Sequence, residues 1–147
     1  MNKAPAVATD DSDKAAKTLV NALNSDKFKA IKDEVATYDL TSISQRELVT
    51  LGRLLYDADL IDRSVFSGFI YADGDFDASG RQQNQDKLIN AYAVFERQLA
   101  GSTAIVASGD SSAQNGVDSL TKLNQVTRAL AQFTIPDSNN LSISIFA

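Results

Sequence analysis

Three aspartates alternate through one short stretch that also holds two glycines, Asp73, Gly74, Asp75, Phe76, Asp77, Ala78, Ser79 and Gly80. Hard cations such as Ca2+ take oxygen ligands that a tight turn gathers, and Asp73, Asp75 and Asp77 fall at positions 1, 3 and 5 of an EF-hand loop, with the Ser79 carbonyl at position 7. The rest of the frame departs from that pattern. Ala78 stands where the sharp turn wants glycine, Gly80 replaces an apolar residue, and Asn84 replaces the bidentate Glu that closes the shell. The stretch therefore supports a weak Ca2+ site at best. The competing reading is a solvated acidic loop whose Asp and Gly residues serve turns.

Little else in the chain is equipped for chemistry near neutral pH. There is no histidine, no cysteine and no tryptophan, and the only methionine is Met1. Without His, no side chain has an unperturbed pKa between about pH 5 and 8. Without Cys there is no thiolate nucleophile, no disulfide and no soft metal ligand. A Ser-His-Asp triad is excluded outright. Carboxylates do sit near one another at Asp33/Glu34, Asp57/Asp59 and Asp73/Asp75. Acid–base work needs two such groups with separated pKa values, which requires burial, and all three pairs lie in polar segments. Gly74 and Gly80 are too far apart, and too close to Asp residues, to cradle a phosphate. No catalytic residue is assigned, and the chain reads as a protein that binds rather than transforms.

The bulk composition fits that reading. The 147 residues are 44% hydrophobic and 22% charged, enough for one domain with its own core. The net charge of −5 repels phosphate backbones and anionic bilayers, which argues against nucleic acid and membrane partners. No run approaches the ~18 apolar residues of a membrane span. The N-terminal residues hold one Lys and no apolar block of the secretory kind. The expected setting is cytoplasmic, with export by a signal-peptide-independent route as the alternative.

The elements that must position any site are mostly helical. Residues 1–10 read as a flexible arm and 11–135 as the helical domain. Leu19, Val20, Leu23, Phe28, Ile31 and Val35 predict two short helices, about 12–23 and 26–37, split at Asn24-Ser25-Asp26. Ser44-Gln45-Arg46-Glu47 is a capping box, with Ile43 and Leu48 placed for a hydrophobic staple. Leu48, Leu51, Leu54, Leu55 and Ala58 then form one stripe, and Asp62 caps a further helix that buries Val65, Phe66, Phe69 and Ile70. This pair resembles a DNA-reading helix–turn–helix only in outline. Its second helix offers Arg63 beside Asp62 and is otherwise mainly apolar, so it reads as a packed corner. Leu88, Tyr92, Phe95 and Leu99 predict a long helix from about Gln82 to Gly101, with Ala104–Ala107 as a last turn or a packed loop. Val117, Leu120, Leu123, Val126, Leu130 and Phe133 predict another helix over 112–133. Two such seams need each other, which predicts an antiparallel hairpin.

Pro136 ends the helical part, and 136–147 reads as an extended tail. Leu141, Ile143 and Ile145 alternate with Ser and lead to Phe146, the pattern of a half-buried strand. These four residues could add to another chain's sheet edge, or cover a gap in their own bundle. The expected fold is all-α, an irregular bundle of five to six helices with a C-terminal antiparallel hairpin and a short extended tail. The expected function is a non-enzymatic protein-interaction module, an adaptor, chaperone or assembly factor, that grips a protein partner or a second copy. It would do so through an apolar helical groove or its C-terminal strand. The alternatives are a structural or exported component of a bacterial or phage assembly, and a carboxylate enzyme with weakly bound Ca2+.

Overall fold

Ala16, Leu19 and Leu23 recur at helical spacing and all three are buried, which seats residues 14–23 against the core as helix α1. The computed structural model describes residues 14–72, 77–81 and 83–135, and it holds six α-helices and one minimal β-ladder among them. The all-α class and the bundle architecture are as the sequence implies. The arm 1–10 and the tail 136–147 lie outside the described residues.

The second helix is shorter than its apolar pattern suggests. A 3-10 turn over Asp26–Phe28 leads into α2, Lys29–Val35. Beyond Val35 the amides of Thr37 and Tyr38 bond back to the Glu34 and Val35 carbonyls, the tightened geometry that closes a helix end. Helix α3, Gln45–Asp57, starts at the capping box read from the sequence. Ser44 Oγ accepts from the Glu47 amide at 3.1 Å, and Glu47 Oε1 accepts from the Ser44 amide at 3.0 Å. Leu48, Leu51 and Leu55 of its stripe are buried, whereas Leu54 and Ala58 are half-buried. Asp59, with φ at 61°, turns the chain out of α3. Asp62 then caps α4, Arg63–Ile70, by accepting from the Val65 amide at 3.0 Å. Helices α3 and α4 meet closely at Gly52, where a Cβ would stand 2.9 Å from Phe69 Cδ2.

The largest correction concerns the long helix expected from Gln82. Helix α5 runs Ala91–Ala107, nine residues later at its start and six later at its end. Leu88 fits the helical spacing of Tyr92, Phe95 and Leu99, but its backbone belongs to a strand. Leu88–Ile89 (β2) pairs antiparallel with Ile43–Ser44 (β1), Ile43 opposite Ile89 and Ser44 opposite Leu88. Flanking bonds extend the contact, from Arg46 N–H to Gln85 O at 3.1 Å and from Ala91 N–H to Leu40 O at 2.8 Å. Asn90 follows β2 as the true cap of α5, its side-chain oxygen accepting from the Ala93 amide. Leu88 is 60% exposed and takes no part in the helical seam. Ala104–Ala107 forms the last turn of α5.

Helix α6, Gln114–Leu130, begins after a 3-10 turn at Ser111–Ala113 and is slightly shorter than the expected 112–133. Leu123, Val126, Leu130 and Phe133 are buried; Val117 and Leu120 are half-buried. The predicted hairpin is present. Asn124 Nδ2 donates to Phe95 O at 3.0 Å, Arg128 pairs with Glu96, and Ser102 faces Gly116, an order that only antiparallel helices give.

The architecture is thus two helix–loop–helix units, α2–β1–α3 and α4–β2–α5, joined where their loops pair, with α1 and α6 laid against them. Phe69 of α4 stacks on Phe95 of α5 at 5.8 Å, which puts aromatic area between the two helices of the second unit. The chain leaves the described region beside the first loop, where the Ile135 amide donates to Tyr38 O at 2.8 Å.

Candidate binding surface

Helix α1 is buried along one edge only. Ala16, Leu19 and Leu23 face the core, which leaves Lys17, Val20 and Asn21 on its flank. Helix α6 and the turn that follows it repeat the arrangement, with Gln125 and Ala129 beside the core seam of the helix and Gln132 just past its end. Between the two flanks lies an open groove of about 550 Å3. Ala16, Val20 and Ala129 supply its apolar floor, and Lys17, Asn21, Gln125, Arg128 and Gln132 its polar rim. The small side chains of Ala16 and Ala129 leave the space above the floor unfilled. Gln125 Oε1 is buried there without a hydrogen bond from any described residue. A buried acceptor left without a partner is costly to the fold.

A second groove of about 430 Å3 opens on the other side of α1, against the α3–α4 corner. Its chemistry is ionic as well as apolar. Lys122 Nζ of α6 donates to Asp62 Oδ2 at 2.6 Å, tying α6 to the N-terminus of α4. Burial pushes the Asp62 carboxyl up, but hydrogen bonds from Lys122, the Val65 amide and Ser64, with the attraction of the Lys122 charge, outweigh it. The group therefore sits below its ordinary 3.8.

Of the acidic loop residues, Asp77 is described, and Asp73 and Asp75 lie outside the described residues. Asp77 Oδ1 accepts from the Ser79 amide, Ser79 Oγ and the Arg81 amide, all within 2.9 Å. That oxygen organises its own turn, and these bonds, the Ser79 hydroxyl first, hold the carboxyl below its ordinary value. The chain between Ile70 and Ala91 is far longer than the roughly twelve residues of an EF-hand loop, and Asn84, at position 12 of that frame, falls well before α5. Among the described residues no three carboxylates come together as a metal-holding group. Asp33, Glu34, Asp57 and Asp59 are each exposed. Leu141, Ile143, Ile145 and Phe146 lie outside the described residues. The groove described above has α6 as one wall and α1 as the other.

Compared with family models, curated proteins and solved structures, the chain matches none of them. No helix among the described residues is long and apolar enough to cross a membrane.

Proposed function

We propose that this protein is a non-enzymatic protein-interaction module that holds a short apolar segment of a protein partner in the groove between α1 and α6. The observation that carries the reading is the groove itself: an apolar floor between two helix flanks and a polar rim. The chemistry absent from the sequence, above all His and Cys, supports binding over catalysis. An adaptor, chaperone or assembly factor working in the cytoplasm fits this description. Leu141, Ile143, Ile145 and Phe146 form the second binding element of the proposal, by strand addition to a partner's sheet.

The test is site-directed photocrosslinking in cells. A photoreactive residue at Val20 or Ala129 should trap one discrete partner, while the same group at Arg63, on the far side of the corner, should not. Removing 137–147 separates the two elements. If adducts vanish with the tail but form equally at all three positions, the groove is not the site.

A second reading, a component of a larger bacterial or phage assembly, draws on the outer half of the α5–α6 hairpin, where Ile105 of α5 is exposed. It expects self-association that grows with concentration.

A further inference from the structure

Helix α5 is apolar or small on nearly every side; its only charged residues are Glu96 and Arg97. Helices of that composition belong in interiors. Yet only Ala91, Val94 and Phe95, near its start, are buried. From Leu99 onward it runs beyond the core, with α6 and the 3-10 turn at Ser111–Ala113 as its neighbours among the described elements. Two residues on its free side do not suit a solitary helix. Ile105 is 48% exposed. Gly101 sits mid-helix, where glycine is less favourable than alanine by about 1 kcal/mol, and a Cβ there would meet nothing within 4 Å. Nothing among the described residues asks for that glycine.

Gly101 and Ile105 are four residues apart, so they are neighbours on one face, about 6 Å along the axis. One is a notch and the other a knob. A twofold axis at Thr103, which is exposed, places the knob of each copy over the notch of the other. That reciprocity is what an isologous contact requires, residue i on j and j on i. The same register brings Arg97 of one copy to the Gly109–Asp110 end of the other. Arg97 is exposed and has no ion-pair partner among the described residues, and Asp110 is exposed at the hairpin turn. The complementary charges close both ends of the contact. Elsewhere the net charge of −5 opposes a second copy, and between Arg97 and Asp110 the helix carries no charge at all.

We propose that two copies of this chain associate through α5, antiparallel about Thr103, with Ile105 of each seated on Gly101 of the other. The contact uses a different face from the α1–α6 groove, so it stands or falls separately from partner binding there. One helix pair with its flanks makes a small interface, and such interfaces are weak and reversible.

The test is sedimentation equilibrium of the full chain from about 1 μM to 1 mM, a range that covers weak association. The wild type should pass from monomer to dimer. Ile105→Asp should weaken dimerisation by about tenfold or more. Gly101→Leu fills the notch and should weaken it as much, while its better helix propensity leaves the melting temperature of the dilute monomer unchanged or higher. That split separates a lost interface from a damaged fold. Arg97→Asp and Asp110→Arg should each weaken the dimer, and together should restore it. Thr103→Cys, the only thiol in the chain, should give a disulfide-linked dimer on mild oxidation. A monomer at every concentration would overturn the proposal, as would a dimer that ignores both Gly101→Leu and Ile105→Asp.

Discussion

Gly68 of α4 lies so close to α6 that a Cβ built on it would stand 2.5 Å from Leu123 Cδ2. Leu123 is buried and α4 packs on α6 here, so the missing side chain is what lets the two helices meet. Gly68→Ala should therefore destabilise the fold by about 1–3 kcal/mol, despite the better helix propensity of alanine. Adding Leu123→Ala should make the pair of changes less costly than the sum of the single ones, because the clash disappears with the leucine. Urea melts of the four proteins measure the coupling, and strict additivity would show that the helices do not meet at this point.

The Asp62–Lys122 pair makes a statement about pH. Asp62 titrates below its ordinary 3.8 in the folded chain. A carboxyl depressed by folding contributes stability that is fully present above its unfolded value and is lost as pH falls through the folded value. The wild type should thus lose this share of its stability on acidification below about pH 4. Asp62→Asn should be less stable at pH 7 but flatter between pH 5 and pH 2. Because the pair is substantially exposed, the difference at pH 7 should stay near 1 kcal/mol. Denaturation midpoints across that range provide the check, and parallel pH curves for the two proteins would contradict the assignment.

Gln45 is a buried polar residue with a structural task. Its Nε2 donates to Phe69 O at 2.7 Å and to Ile70 O at 2.9 Å, so the first residue of α3 satisfies the last carbonyls of α4. Gln45→Leu keeps the bulk and removes the donor. Stranded carbonyls in a buried site cost about 1–3 kcal/mol. Amide exchange should show the effect locally, with faster exchange in the last turn of α4 and little change in α6. A uniform loss of protection would argue against this account.

The capping box offers a fourth measurement. Ser44→Ala removes the acceptor for the Glu47 amide and should cost about 1 kcal/mol. Glu47→Gln keeps a side chain able to accept from the Ser44 amide and should cost less. Equal losses would mean that the charge of Glu47 matters more than its hydrogen bond.

At high pH a different group takes over. Burial, followed by the Glu34 and Glu47 charges, raises Tyr38 above its ordinary 10.0. A folded state that holds a proton more tightly than the unfolded one loses that advantage as pH rises through the folded value. Stability should fall above about pH 10 in the wild type and less steeply in Tyr38→Phe. Ultraviolet titration of the four tyrosines, with and without Tyr38, measures it directly.

How much of this was legible in the chain depends on the distance over which each feature is decided. The Ser44 box, the Asp62 cap and the leucine stripe of α3 are set by neighbours within a turn or two, and they stand where the sequence puts them. The α5–α6 hairpin was legible because Phe95, Leu123, Val126 and Leu130 keep helical spacing and bury together. The start of α5 was not, since Leu88 continues the spacing of Tyr92 and Phe95 perfectly well. Only its pairing with Ser44, some forty residues away, takes it out of the helix. A two-residue strand is too short to show an alternation of its own. The groove was missed for a related reason. Ala16, Val20 and Ala129 are unremarkable in sequence and become a surface only when α1 and α6 lie side by side.

The pairing of Ile43 with Ile89 also fixes an order of events in the making of the molecule. A ribosome delivers α2, β1 and α3 well before β2, so the first half of the protein waits with an open seam until its counterpart arrives. Cutting the chain at Asp59, between α3 and α4, would leave two fragments that each lack a mate and recover one by finding the other.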